Sequence, residues 1–525
     1  MSHDSLLSDA MSNWSKDLGW EYAGWGSAAL LTLLALLALV VLSVKRCRRH
    51  NEARAARALL GDERTETPSC SSQTTTMTMA SAPRNPDTFD AVAQLPLAFS
   101  PSVPCVVRVL YPASAVACCW FYIWADLSVA ASIHADLLLG GAPSGEWTWS
   151  GTMAKLTLLP AANDAWKSGA RTTAIVLGFL NGVWPFIQTL VLLVVWFLPG
   201  RCLPHSFRGS LLRLFAALGK SGLSFPWLVT IWAAVCQLHW RGKKVSADFS
   251  MFLEGGVFAF LFAAVVTNAL GYAADHYHLV STSCATHTRA RPCLPLSSYS
   301  KGRYWPTVLL PLVAVAAAAS SVVTTFSVYL TGGDSFLQSA HKAKPEYIRN
   351  YSLLSFGLQF NDNDNGVDVY ERLLQAIFLA TSLAVPLLLA GVLLVVWVLP
   401  LRPKAQNVLL QLGHALDAWV ALDVFVAVVA LCSLDFGTMT EYAVHQGPMQ
   451  EACDMMKREL HLNACVGASV QLERGFVLLA ASALALLIVP KVVLRACGKA
   501  TEQRNQLASR AWAASALAGT DRGQI

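Results

Sequence analysis

Charge is what this sequence has least of. Asp, Glu, Lys and Arg make up 14% of its 525 residues, against about 25% in a typical soluble domain. Apolar residues reach 54% and the mean hydropathy is +0.46, which excludes a water-soluble globular chain. Also missing is any CxxC pair among the 13 cysteines, an absence that argues against both a zinc ribbon and a thioredoxin-like motif. Most of these cysteines read as small buried apolar residues, Cys118 and Cys119 inside an apolar run among them. There is no nucleophile elbow, phosphate loop, HExxH or pair of catalytic carboxylates. An enzyme is not expected, nor a cofactor.

What is present is a series of about nine long apolar runs. A bilayer takes roughly 20 apolar residues to span, and lipid forces each span to be a helix unless a barrel closes. The first run, Trp25 to Val44, is followed by Lys45, Arg46, Arg48 and Arg49. A cleaved signal peptide has the opposite polarity, so this run reads as an uncleaved anchor with its N-terminus outside. Residues 45–103 are rich in Thr, Ser, Met and Pro and read as a disordered cytosolic linker, with a phosphorylated tether as a possible role. Eight further runs lie near 105–128, 172–198, 213–238, 251–272, 305–330, 372–399, 413–434 and 470–490.

With the N-terminus outside, the cytosolic segments hold 23 Lys and Arg and the outer segments 12. Arg108, Lys220, Arg372 and Arg474 lie at or within spans. The net charge of +6 therefore reads as topology, and no nucleic-acid partner is expected. Trp and Tyr gather near the ends of the runs, as interfacial belts predict. Both N-x-S/T sequons, at Asn13 and Asn350, fall on the outer side.

The second half of the chain repeats landmarks of the first. "LVLLVVWFLP", ending at Pro199, answers "GVLLVVWVLP", ending at Pro400. Pro185 and Pro386 each lie 14 residues before those ends. "RVLYP" answers "TVLLP", "VCQLHW" answers "LCSLDF", and "FLEGG" answers "QLERG". These matches predict a tandem duplication of a four-helix module behind the anchor, the two copies in parallel orientation.

Polar residues in the spans are the functional candidates, because an ionisable group in lipid costs a few kcal/mol. Asp423 lies near the middle of its span, with Trp419 expected one turn earlier on the same helical face. A protonated Asp bonded to a neighbouring helix and a protonation-linked gate both fit. Glu254 and Glu473 are matched, each expected about one turn into the last span of its module and followed two residues later by Gly256 or Gly475. Capping of the helix N-terminus accounts for them best. His239 and Asp435 match at the outer ends of the third spans. Pro185 and Pro386 free backbone carbonyls and predict kinks, which either shape a cavity or serve packing.

Cys453 and Cys465 flank one stretch of an outer loop, where an oxidising compartment favours a disulfide. His276, His278, Cys284, His287 and Cys293 are too irregularly spaced for zinc. "NDNDNG" at residues 361–366 lacks the first acid of a calcium loop. No metal is expected.

The stretch "YSLLSFGLQF…YERLLQAIFLATSLAVPLLLAGVLLVVWVLP", followed by "LDAWVALDVFVAVVAL", resembles the paraquat-inducible protein A family. The matching positions are Thr381, Pro386, Trp419, Asp423, Val424 and Phe425 in the second module, with Asn181, Pro185 and Glu254 as looser matches in the first. The resemblance covers about residues 104–495. It implies a duplicated four-span module and lipid traffic between membranes, with membrane lipids as partners and a protein partner in a lipid-transfer complex. The family's zinc ribbons are absent here. The intramembrane lysine associated with its acid-bearing span has no counterpart on that span, where Asp435 falls near its place.

The reading is an all-α polytopic membrane protein of about nine spans. Its parts are an outer tail (1–24), an anchor helix (25–44), the linker (45–103), a first module (104–275), an inter-module linker (276–303), a second module (304–495) and a cytosolic tail (496–525). A plasma or endomembrane location is expected, with the C-terminus cytosolic. Lipid or hydrophobic-solute transport is the expected function, with a scaffold or receptor acting through its outer loops as the alternative. Glycosidase treatment of the protein made in a eukaryotic cell is expected to remove glycan from Asn350; an unglycosylated, cytosolic Asn350 would overturn the topology.

Overall fold

The computed structural model describes residues 96–520 except 101–102, 143–144, 200–201, 237, 242–244, 283–295, 300–303, 332–347, 359–368, 447–449, 451–453 and 455–466. The anchor run, most of the linker, Asn13, Cys453 and Cys465 lie outside these residues.

Among the described residues, eight helical stretches are long and apolar enough to cross a membrane. They are Cys105–Leu127, Arg171–Phe197, Ser206–Cys236, Gly255–Ser281, Trp305–Val322, Arg372–Val398, Pro403–Tyr442 and Arg474–Thr501. They fall on the eight runs expected after the anchor. The chain is an all-α polytopic membrane protein.

In chain order the elements are α1 (Cys105–Leu127), β1 (Ala131–Ala142), β2 (Gly145–Leu156), α2 (Leu158–Ser168), α3 (Arg171–Ile175), α4 (Trp184–Phe197), α5 (His205–Leu218), α6 (Ser224–Cys236), β3 (Leu238–Arg241), β4 (Val245–Leu253) and α7 (Gly255–Thr282). There follow α8 (Trp305–Val322), β5 (Thr324–Thr331), β6 (Ile348–Ser352), α9 (Leu353–Leu358), α10 (Val369–Leu379), α11 (Val385–Val398), α12 (Pro403–Trp419), α13 (Leu422–Gln446), β7 (Gly467–Leu472) and α14 (Arg474–Thr520).

The prolines of the second spans leave a specific mark. A π-helical turn, Val176–Val183, precedes Pro185, and another, Ala380–Ala384, precedes Pro386. Proline has no N–H and its ring crowds the carbonyl four residues back, so a wider turn relieves the clash. In this register Trp184 N–H reaches the Phe179 carbonyl and Val385 N–H the Ala380 carbonyl. The next donors would be Pro185 and Pro386, which have none, so the carbonyls of Leu180 and Thr381 lose their helical partners. The expected kinks take the form of these widened turns.

Two small antiparallel sheets lie in the connections, where only loops were expected. One has the strand order β2-β1-β4-β3 and the other β6-β5-β7. In each, the strand that leaves the first of four spans is paired by the strand that enters the fourth. Ala131 stands opposite Leu253, and Phe326 opposite Leu472. Runs such as "TTFSVYLT" combine β-branched and aromatic residues at period two, which suits a strand. Average hydropathy cannot separate such a run from a helix end. That is why the span expected to reach residue 330 stops at Val322, and why the fourth spans start at Gly255 and Arg474, later than the expected 251 and 470.

The strand-to-helix junctions are matched in detail. Glu254 N–H donates to the Ala130 carbonyl (2.8 Å) and Gly256 N–H to that of Val129 (3.0 Å). Glu473 N–H donates to Thr325 (3.0 Å). A Cβ on Gly256 would stand 2.7 Å from the Val129 oxygen, and one on Gly475 would overlap the Thr324 carbonyl. Close backbone approach therefore accounts for glycine two residues after each Glu.

The chain divides into two compact units. One comprises residues up to Ala115 with Thr189–Phe215 and Ala273–Cys284. Inside it Tyr111 stacks on Trp196 at 4.0 Å, Trp196 meets Tyr277 edge-on, and Arg208 donates to the Leu198 carbonyl at 2.5 Å. The other comprises Val116–Gln188, Ala216–Tyr272 and Ala285 onward, and it contains both sheets. Its aromatic core runs through Trp227, Phe378, Phe425, Phe356, Tyr351 and Phe326, each ring about 5–6 Å from the next.

Gly475→Ala is expected to lower stability by about 1–3 kcal/mol through overpacking, read as a lower melting temperature in detergent. Gly498→Ala, where nothing lies within 4 Å of the added carbon, is expected to be neutral.

Candidate functional site

Both third spans are interrupted. In the first, α5 passes through a 3-10 turn, Gly219–Leu223, before α6 begins. In the second, Val420 and Ala421 leave the helix between α12 and α13. The first break is written locally, since Gly219 and Gly222 weaken the helix and Pro226 favours a fresh start. The second contains neither glycine nor proline. It is held from outside, by donors and an acceptor that replace its lost helical partners.

Asn268 Nδ2 donates to the Ala418 carbonyl (2.9 Å), and Lys220 Nζ to the Val420 carbonyl (3.0 Å). Ala421 N–H donates to the Thr381 carbonyl (3.1 Å), the oxygen that Pro386 leaves without a helical partner. The widened turn and the break thus satisfy one another. At the other break, Ser224 Oγ donates to Asn181 Oδ1 (2.8 Å), and Asn181 Nδ2 donates to the Val176 carbonyl (3.2 Å). Asn181 sits in the first π turn and is fully buried. Thr381 closes locally, its hydroxyl donating to the Ile377 carbonyl (2.9 Å).

The two breaks are joined by an ion pair. Lys220 Nζ lies 2.8 Å from Asp423 Oδ1 and 2.7 Å from Oδ2. The side chains are 9% and 27% exposed. Asp423 occupies the first turn of α13 and Lys220 the last turn of the 3-10 segment. Each charge faces the helix end whose dipole it complements. Asp417 on α12 lies within electrostatic reach of Lys491, Lys220 and Asp423, so two cations and two anions cluster around the break.

Asp423 does lie mid-way along its apolar stretch, but that stretch is not one helix. The break at Val420 and Ala421 separates it from Trp419, the last residue of α12, so the two do not share a continuous helical face. Lys220, itself within an apolar span, is the partner. Its presence in an apolar span was the available signal; its pairing across 203 residues had none.

Glu254 and Glu473 stand just before α7 and α14, not a turn inside them. The strands β4 and β7 use the residues that the apolar count gave to the spans. Each carboxylate accepts from a buried serine on the central strand of its sheet, Ser132 (2.9 Å) and Ser327 (2.7 Å). They are matched junction contacts. Asp435 lies within α13 and accepts from Thr173 N–H (2.8 Å), whereas His239 lies on β3. Asn350 is exposed on the edge strand β6, its Oδ1 accepting from Ser327 Oγ. Among the described residues no group of three or more His, Cys, Asp or Glu could hold a metal ion.

Comparison with known proteins finds no matching family model, curated protein or solved structure.

Removing one partner of a fully buried pair strands the other charge at a cost of about 3–5 kcal/mol, an upper bound here because Asp423 is 27% exposed. Lys220→Met and Asp423→Asn are each expected to lower the melting temperature. The double variant should recover the part of that loss due to the stranded charge, while the Val420 carbonyl stays without its donor. Additive losses in the double variant would show that the pair is not coupled.

Proposed function

We propose that this integral membrane protein moves lipids or other hydrophobic solutes between or across membranes, and that Lys220 and Asp423 form the charged gate of its pathway. The observation that carries the reading is the ion pair at two interrupted spans. Broken helices within a membrane are tolerated where they are buried in protein or line a cavity, and in carriers they form the solute sites. An intramembrane ion pair whose acid is partly exposed is a poor stability device in lipid, and a functional role accounts for it better.

The two halves share the widened turn before proline, the interrupted third span and the Glu–Ser junction. These parallels support a duplicated module, and with the sequence motifs they support the likeness to the paraquat-inducible protein A family. On that likeness a protein partner would complete a lipid-transfer complex. In the proposed topology both sheets face outward. Edge strands such as β6 favour a second reading, a scaffold or receptor that binds partners along those edges.

Lipids co-purifying with the wild type and with Asp423→Asn, identified by mass spectrometry, separate the two. Transport predicts a lipid class enriched over the host membrane and altered in the variant. No enrichment in either protein, with normal partner binding, would favour the scaffold.

A further inference from the structure

The charge pattern at the two breaks also bears on which solutes the proposed pathway recognises, an inference that rests on the transport reading. Lys220 holds both oxygens of Asp423 and also reaches the Val420 carbonyl. The carboxylate lies in the first turn of α13, a 25-residue helix, where exposed backbone N–H groups favour an anion. Against Gly219, the residue before Lys220, Gln188 is 2% exposed and its Nε2 has no hydrogen-bond partner. Gln188 Nε2 and Asn268 Oδ1 both converge on Gly219, within 3.0 and 2.5 Å of where a Cβ would stand. An ammonium and a helix N-terminus are therefore grouped around one internal carboxylate, and an unused buried amide donor lies against the neighbouring Gly219.

We propose that Lys220 recognises the headgroup of an anionic amphiphile, whose phosphate or carboxylate displaces Asp423 as its counter-ion. The neighbouring charges set a condition on the exchange. Asp417 on α12 lies within electrostatic reach of Asp423, of Lys220 on the 3-10 turn and of Lys491 on α14, whereas α6 and the second π turn carry no charged residue. Two cations and two anions already balance, so an added anion leaves the cluster negative in a medium that penalises net charge. A proton taken up by the cluster restores the balance. Anion binding and proton uptake are therefore linked, and the anion binds more tightly as the pH falls.

The test titrates the full-length protein in detergent with short-chain phosphatidic acid, a fatty acid, phosphatidylcholine and diacylglycerol at several pH values. The wild type should bind at least one anionic probe about tenfold or more tighter than phosphatidylcholine, and phosphatidic acid, which keeps a negative charge on mild acidification, more tightly at lower pH. The two anionic arms distinguish a phosphate from a carboxylate ligand. Lys220→Met should lose the preference, Lys220→Arg should keep it, and Asp423→Asn, which lacks the competing carboxylate, should bind the anion more tightly than the wild type. Equal binding of all four probes by the wild type, which needs no variant to fold, would overturn the headgroup assignment and leave the transport reading standing. A preference retained in Lys220→Met would also overturn the assignment. Binding of none of the four would overturn both readings.

Discussion

A peptide group in a bilayer has no water to turn to, and the polar interior of this protein follows from that constraint. Pro185 and Pro386 each remove a donor from a membrane helix, and the chain answers with a widened turn. The turn before Pro386 leaves the Thr381 carbonyl without a helical donor. The break at Val420 and Ala421 supplies the N–H it lacks. One helical defect thus satisfies another. Neither is stable alone in lipid, and together they form a polar seam between spans that are otherwise apolar.

The ion pair follows from the seam. Interrupting a span creates two half-helices whose dipole ends face the middle of the membrane, and such ends attract charges of defined sign. Asp423 sits at the N-terminal end of one half-helix and Lys220 beside the C-terminal end of another. The pair also finishes the backbone accounting, since Lys220 covers the Val420 carbonyl while Asn268 covers that of Ala418. A group that satisfies backbone and side chain together cannot move without exposing both.

Away from the seam, the sheets fix where spans begin and end. Each central strand, β1 or β5, accepts the strand that leads into the fourth span, and a serine on it donates to the glutamate at the junction. Gly256 and Gly475 permit the backbone approach. The shared "Glu-x-Gly" was visible in the sequence as a repeat. Its geometry was not, because hydropathy counts apolar residues equally in strand and helix. A period-two pattern of β-branched residues, as in "TTFSVYLT", was the legible cue.

The sequence by itself determined that this is a multi-pass helical membrane protein. It also placed eight spans, identified the prolines that would disturb them and singled out Asp423. These are local properties: the length of an apolar run, the missing N–H of proline, the cost of a charge in lipid. Only the tertiary structure decided that the span bearing Asp423 is broken without glycine or proline, and that Lys220, 203 residues away, answers its charge. The reason is that the break is stabilised by groups on other helices. Its donors are Asn268 and Lys220 and its acceptor is Thr381, so nothing in the residues of the break announces it.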